Sequence, residues 1–149
     1  MSPFNVNSVL LVDDDDVSNF LNEMYINNLK LDIKVNAVLN GKRALDFLDQ
    51  KETQLQTEDF GPCLLILDIN MPVLNGWQFL DIYNERYSEA LKSKIVIVMI
   101  TVSEDERDII RATDSPLIKE FIQKPLSDVK LIQILERYFL VKSLNPLPE

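Results

Sequence analysis

Five short apolar runs, each followed by a longer stretch with helical spacing, constrain this chain more than any other feature. Ser8–Val12 (SVLLV), Asp32–Val38, Cys63–Leu67 (CLLIL), Lys94–Ile100 (KIVIVMI) and Leu117–Ile122 have strand length. Asp32–Val38 alternates Ile33, Val35 and Ala37, as a half-buried strand does. The runs at 63–67 and 94–100 are apolar almost throughout, the mark of strands covered on both faces. Between them, Val17–Leu29 sets Val17, Phe20, Leu21 and Met24 at helical spacing, and Lys42–Gln50 follows an Asn40-Gly41 turn. Trp77–Tyr87 places Leu80, Tyr83 and Tyr87 on one helical face. Ser103-Glu104-Asp105-Glu106 has the form of a capping box opening a fourth helix. A fifth is expected over Ser127–Val141, with Ser127 as N-cap and Val129, Ile132, Leu135, Tyr138 and Phe139 facing inward. Strand then helix, five times over, requires parallel strands joined by right-handed crossovers with helices on both faces.

The 149 residues fit one domain, since domains cluster at about 100–150 residues. A core over about 8–141 is expected, with a Pro-containing C-terminal tail at 142–149. Fifteen basic against 24 acidic residues leave a net charge of −9. A nucleic-acid binder needs a basic footprint, and no Lys/Arg cluster supplies one. The longest apolar stretch, Ile95–Ile100, is far shorter than the about 20 residues of a membrane span. The N-terminus lacks the basic and apolar regions of a secretory leader, so a cytoplasmic location is expected. Cys63 stands alone, which leaves no internal disulfide. There is no histidine, and Ser-His-Asp, Cys-His and imidazole general-base mechanisms go with it. Carboxylates, hydroxyls, lysine and a hard cation are what remain for chemistry.

Those groups fall at particular places. Asp13 and Asp14 directly follow the first strand and Asp68 the third; Thr101 follows the fourth, and Lys124 lies just past the fifth. In an open parallel sheet all strand C-termini share one edge, where ligands bind at the topological switch point. A flavodoxin-like, doubly wound, five-stranded parallel sheet of order 2-1-3-4-5 would make strands one and three neighbours there. Asp13, Asp14 and Asp68 would then converge, flanked by Thr101 and Lys124. Such carboxylates repel one another unless a cation intervenes, and an all-oxygen site with room for water and a phosphoryl oxygen suits Mg²⁺.

Five motifs now stand in order at strand ends: VDD at Val12–Asp14, LDINMP at Leu67–Pro72, NG at Asn75-Gly76, the hydroxyl of Thr101, and KP at Lys124-Pro125. With them the chain resembles the receiver domains of two-component response regulators, from Val9 to about Val141, and in particular a single-domain, chemotaxis-type regulator. The resemblance implies that Asp68 is the phosphoacceptor, receiving a phosphoryl group from a sensor histidine kinase or histidine phosphotransfer protein. It implies Mg²⁺ bound by Asp14 and Asp68, by Asp13 largely through water, and by the backbone carbonyl of Asn70. Lys124 would pair with Asp68 and then with a phosphoryl oxygen, Thr101 would donate its hydroxyl to the phosphoryl group, and Phe121 occupies the aromatic switch position. Output would pass to a downstream protein through the face formed by the last two helices and the strand between them. The acting form would be a monomer or a phosphorylation-linked dimer, without nucleic-acid or membrane binding. Such a protein catalyses its own phosphoryl transfer and slow autodephosphorylation and is not a multiple-turnover enzyme. In the family a small residue usually follows the strand-four hydroxyl, and here it is Val102. A branched side chain there is expected to slow phosphorylation by acetyl phosphate and prolong the phosphorylated state, relative to a Val102→Ala variant.

Two competing readings share the fold. A degenerate receiver would act as a phosphorylation-independent scaffold, which intact Asp14, Asp68, Thr101 and Lys124 argue against. A Mg²⁺-dependent phosphatase would need a second acid or base near Asp68, and Asn70 stands where a haloacid-dehalogenase-type site would carry an acid. Fold alone does not separate these.

Overall fold

The structure, a computed structural model, describes residues 3–141. The expected tail at 142–149 lies outside the described residues. Five strands, β1 (Ser8–Val12), β2 (Lys34–Val38), β3 (Cys63–Asp68), β4 (Ile95–Thr101) and β5 (Ile118–Gln123), form one sheet of order β2-β1-β3-β4-β5. Every pairing is parallel. The helices are α1 (Asp16–Asn28), α2 (Gly41–Thr53), α3 (Gly76–Arg86), α4 (Glu89–Lys92), α5 (Glu106–Asp114) and α6 (Asp128–Tyr138).

Alternation along the central strands divides the core in two. Leu10, Val12, Leu65, Leu67, Ile97 and Met99 face α2 to α5 through Ala44, Leu48, Phe79, Leu80, Tyr83, Leu91 and Ala112. Val9, Leu11, Leu64, Ile66, Val98 and Ile100 face α1 and α6 through Ile26, Leu131, Ile134 and Leu135. The doubly wound arrangement expected from the strand–helix alternation is therefore the observed one. Val12 pairs with Leu67, Asp68 with Ile100 and Thr101 with Gln123, so four strands end together on one rim.

Four expectations need correction. A sixth helix, α4, interrupts the strict alternation: Ser88 caps it by accepting from Leu91 N, and the Glu52 carboxylate accepts from both Ser88 N and Ser88 Oγ. The cap of α5 is Asp105, not Ser103; the Asp105 carboxylate accepts from Arg107 N, and the Ser103 hydroxyl donates instead to Asp108. In α6, Val129 and Ile132 lie on the solvent side, while Leu131, Ile134 and Leu135 face the sheet. This helix carries two overlapping apolar stripes, and period alone does not choose between them. In α1, Val17, Phe20, Leu21 and Met24 stand 42–63% exposed, and the buried face is Asn19, Asn22 and Ile26. The Asn19 amide explains the inversion. Its Nδ2 donates at 3.0 Å to the carbonyl of Asp13, a buried acceptor just past β1, and at 3.2 Å to that of Val38, which also accepts from Asp13 N.

Candidate functional site

The strand ends deliver their acids to one spot. Asp13 follows β1, with its N–H donating to the Val38 carbonyl at 3.2 Å. Its Oδ1 accepts from Asp15 N at 2.9 Å, which folds the chain toward α1. Asp15 is the N-cap of α1, its Oδ1 accepting from Val17 N at 3.0 Å. Asp68 is the last residue of β3, and its Oδ1 lies 3.4 Å from the Asn70 N–H. Asp13, Asp14 and Asp68 each offer an oxygen within 4.8 Å of the others, with Asp13 and Asp68 buried and Asp14 exposed.

Lys124 closes the group. Its backbone N–H donates to the Thr101 carbonyl at 2.8 Å, extending the β4–β5 ladder by one rung. Its Nζ lies 2.6 Å from Asp13 Oδ2 and 3.4 Å from Asp68 Oδ2. The expected contact with Asp68 is made, and Asp13 is the closer of the two partners. Thr101 is wholly buried, and its Oγ1 accepts from Ser103 N at 3.1 Å. Val102, the next residue, stands 70% exposed. Phe121 lies on β5 opposite Met99, half-buried against the core of the α2–α5 face. Asn70 is exposed on the loop after β3. That loop is pinned by a capping box, Asn75 Oδ1 accepting from Gln78 N and Gln78 Oε1 from Asn75 N, both at 2.9 Å. Gly76 N donates to the Ile69 carbonyl at 2.8 Å, which brings the start of α3 against the backbone of Asp68.

Sequence reasoning overlooked Asn19, which braces the Asp13 carbonyl from below. Its signal was present: a short polar residue at the i, i+3, i+7 spacing of Asn19, Asn22 and Ile26, opposite the apolar stripe. An amide on the sheet side of a helix marks backbone carbonyls to be satisfied.

Three carboxylates face one ammonium. Burial, and then the charge of Asp13, push the Asp68 carboxyl up to about 6, with Lys124 opposing. Burial would lower the Lys124 ammonium, but Asp13 and then Asp68 outweigh it and hold it above its ordinary value. An all-oxygen cluster of three carboxylates only partly compensated by one lysine fits a small hard cation, and Asp13, Asp14 and Asp68 are the residues that would hold it. A consequence follows for stability. Between about pH 4 and 6 the native state retains a proton on Asp68 that the unfolded chain has lost, so this group's contribution to stability falls as pH rises through that window and is flat above it. In metal-free urea titrations, Asp68→Asn is therefore expected to gain stability relative to the unsubstituted protein from pH 4 to 7, and Mg²⁺ to shrink the gap. A gap independent of pH contradicts this electrostatic picture.

The chain matches the response regulator receiver domain over residues 9–136. No curated protein matches it. Among solved structures it is similar to a two-component response regulator from Cytophaga hutchinsonii, at 28% identity and a TM-score of 0.76, covering 89% of this chain and 96% of that one. A response regulator receiver protein from Dyadobacter fermentans is 27% identical, with a TM-score of 0.71 and coverage of 87% and 95%. A two-component response regulator from Legionella pneumophila is 26% identical, with a TM-score of 0.69 and coverage of 88% and 98%. No helix among the described residues is long and apolar enough to cross a membrane.

Proposed function

Because the chain belongs to the response regulator receiver family of two-component signalling, we propose that Asp68 accepts a phosphoryl group from a phosphohistidine on a histidine kinase or phosphotransfer protein, in a Mg²⁺-dependent reaction. The observation that carries this is the convergence of Asp13, Asp14 and Asp68 within 4.8 Å beside a single lysine. An Asp68 carboxylate oxygen attacks phosphorus, the P–N bond breaks, and the imidazole nitrogen departs with the bonding pair. No general base is needed, since a carboxylate is already ionised above its raised pKa; a chain without histidine can perform this step. Mg²⁺ would supply charge neutralisation for the phosphoryl oxygens. Lys124, already between Asp13 and Asp68, turns its ammonium to the incoming oxygen, and the Thr101 hydroxyl donates to another. The acceptor is consumed in each event, so the chain acts as a switch and not as a multiple-turnover enzyme.

Phosphorylation replaces one negative charge by roughly two and adds strong acceptors. Each new hydrogen bond to a charged group is worth about 1.5–3 kcal/mol. Two or three of them approach the about 5.5 kcal/mol that inverts a 1:99 equilibrium. The face made by α5, β5 and α6, which carries Phe121, is the proposed route to a downstream protein. The outward apolar stripe Val17, Phe20, Leu21 and Met24 begins within one turn of Asp14 and supports a protein surface, more than a small molecule, as the phosphoryl donor.

Beryllofluoride, which stands in for the phosphoryl group on a carboxylate, tests the proposal. Titration with Mg²⁺ present should give saturable one-to-one binding to the unsubstituted protein and none to Asp68→Asn. Silence in both favours a phosphorylation-independent scaffold, and multiple-turnover hydrolysis of a small phosphate ester favours a phosphatase.

A further inference from the structure

A second network runs from Thr101 away from the acids. Ser103 N donates to Thr101 Oγ1 at 3.1 Å, and Ser103 Oγ donates to Asp108 Oδ2 at 2.9 Å. The other carboxylate oxygen of Asp108, Oδ1, accepts from Trp77 Nε1 at 3.2 Å. The indole is buried, and the Arg111 guanidinium lies 4.4 Å from its ring centroid on the outer side. Trp77 directly follows Gly76, whose N–H holds the chain one residue beyond Asp68. One carboxylate therefore ties the loop after β4, two residues beyond Thr101, to the first turn of α3, whose Gly76 N–H holds the Ile69 carbonyl next to Asp68.

We propose that Asp108 is a positioning residue which latches the Thr101 loop to α3 in the unphosphorylated protein and releases Trp77 on phosphorylation. The inference rests on the reading of Asp68 as phosphoacceptor. Thr101 is wholly buried, with its hydroxyl engaged by Ser103 N. Turning that hydroxyl toward a phosphoryl oxygen withdraws the acceptor from Ser103 N, and the loop must follow. Asp108 cannot then keep both Ser103 Oγ and Trp77 Nε1, because they belong to separate elements whose spacing changes. The surrendered bonds are made to a carboxylate, so they are strong enough to bias the equilibrium. Linkage makes the effect reciprocal: what the phosphoryl group does to the latch, loss of the latch does to binding of the phosphoryl mimic.

The chain has one tryptophan, so its indole N–H gives one unambiguous resonance. On saturation with Mg²⁺ and beryllofluoride, the indole hydrogen should exchange with solvent faster, as its acceptor departs. Asp108→Ala and the milder Trp77→Phe, which removes the N–H and leaves an aromatic ring in the core, should both bind beryllofluoride about tenfold more tightly, within the ordinary range of coupling between sites. A merely structural role predicts the opposite, weaker binding through a loosened loop. Bound beryllofluoride seen by fluorine NMR, with unchanged indole exchange and unchanged or weaker affinity in both variants, overturns the latch and leaves the phosphoacceptor reading intact. No bound beryllofluoride in the unsubstituted protein overturns both.

Discussion

Replacing Lys124 by methionine is expected to slow phosphorylation of Asp68 by a small donor about 10²–10³-fold, the usual cost of removing one preorganised charge stabiliser. Methionine keeps much of the stem's packing and removes the ammonium, so the loss is electrostatic. The side chain is 18% exposed and its Nζ lies 2.6 Å from Asp13 Oδ2. Deleting one partner of a pair that is largely shielded strands the other charge, here two buried carboxylates at once. Solvent access moderates the penalty, and a destabilisation of about 2 kcal/mol at pH 7 without metal is expected. Saturating Mg²⁺ should recover much of that stability, since it answers the same carboxylate repulsion, without restoring the rate. Urea melts with and without Mg²⁺, alongside phosphorylation kinetics, check both halves. Full kinetic recovery by Mg²⁺ would show that Lys124 contributes only charge balance.

Gly76→Ala should be equally damaging for a steric reason. By helix propensity alone, alanine in the first turn gains up to about 1 kcal/mol over glycine. A Cβ on Gly76, however, would lie 2.6 Å from the Asp68 carbonyl oxygen and 3.0 Å from Ile69 Cα, both backbone atoms with no freedom to rotate away. Overpacking of this kind costs about 1–3 kcal/mol, so the clash outweighs the propensity. The displaced segment carries the Asp68 carboxylate, and beryllofluoride affinity should fall at least about tenfold, as small misplacements at a reacting centre do. Unchanged affinity and a raised melting temperature would mean that propensity wins.

Much of this site was legible because strand ends are easy to read. Asp13, Asp14, Asp68, Thr101 and Lys124 each lie at the end of a strand or within two residues beyond it, and a doubly wound parallel sheet has one rim for all of them. The orientation of α1 was not legible in the same way. Its apolar stripe has sound helical period yet faces solvent, because the sheet side carries the Asn19 amide, which satisfies the buried carbonyl of Asp13. Polarity misleads wherever the buried face has a hydrogen-bonding task. The single turn α4 is too short for periodicity to reveal. Ser103 looked like a cap by spacing, but its hydroxyl binds Asp108, a partner visible only in three dimensions. The closer approach of Lys124 to Asp13 than to Asp68 likewise depends on side-chain placement, which no spacing encodes.

The central claim is that acids from β1 and β3, brought together at the sheet's rim, make Asp68 phosphorylatable when magnesium is present. Incubation with phosphoramidate, with and without Mg²⁺, followed by reductive trapping and peptide mass mapping, tests it most directly. The account predicts a single adduct on the peptide carrying Asp68, dependent on Mg²⁺ and absent from Asp68→Asn. An adduct elsewhere, or one formed equally well in chelator, would contradict it.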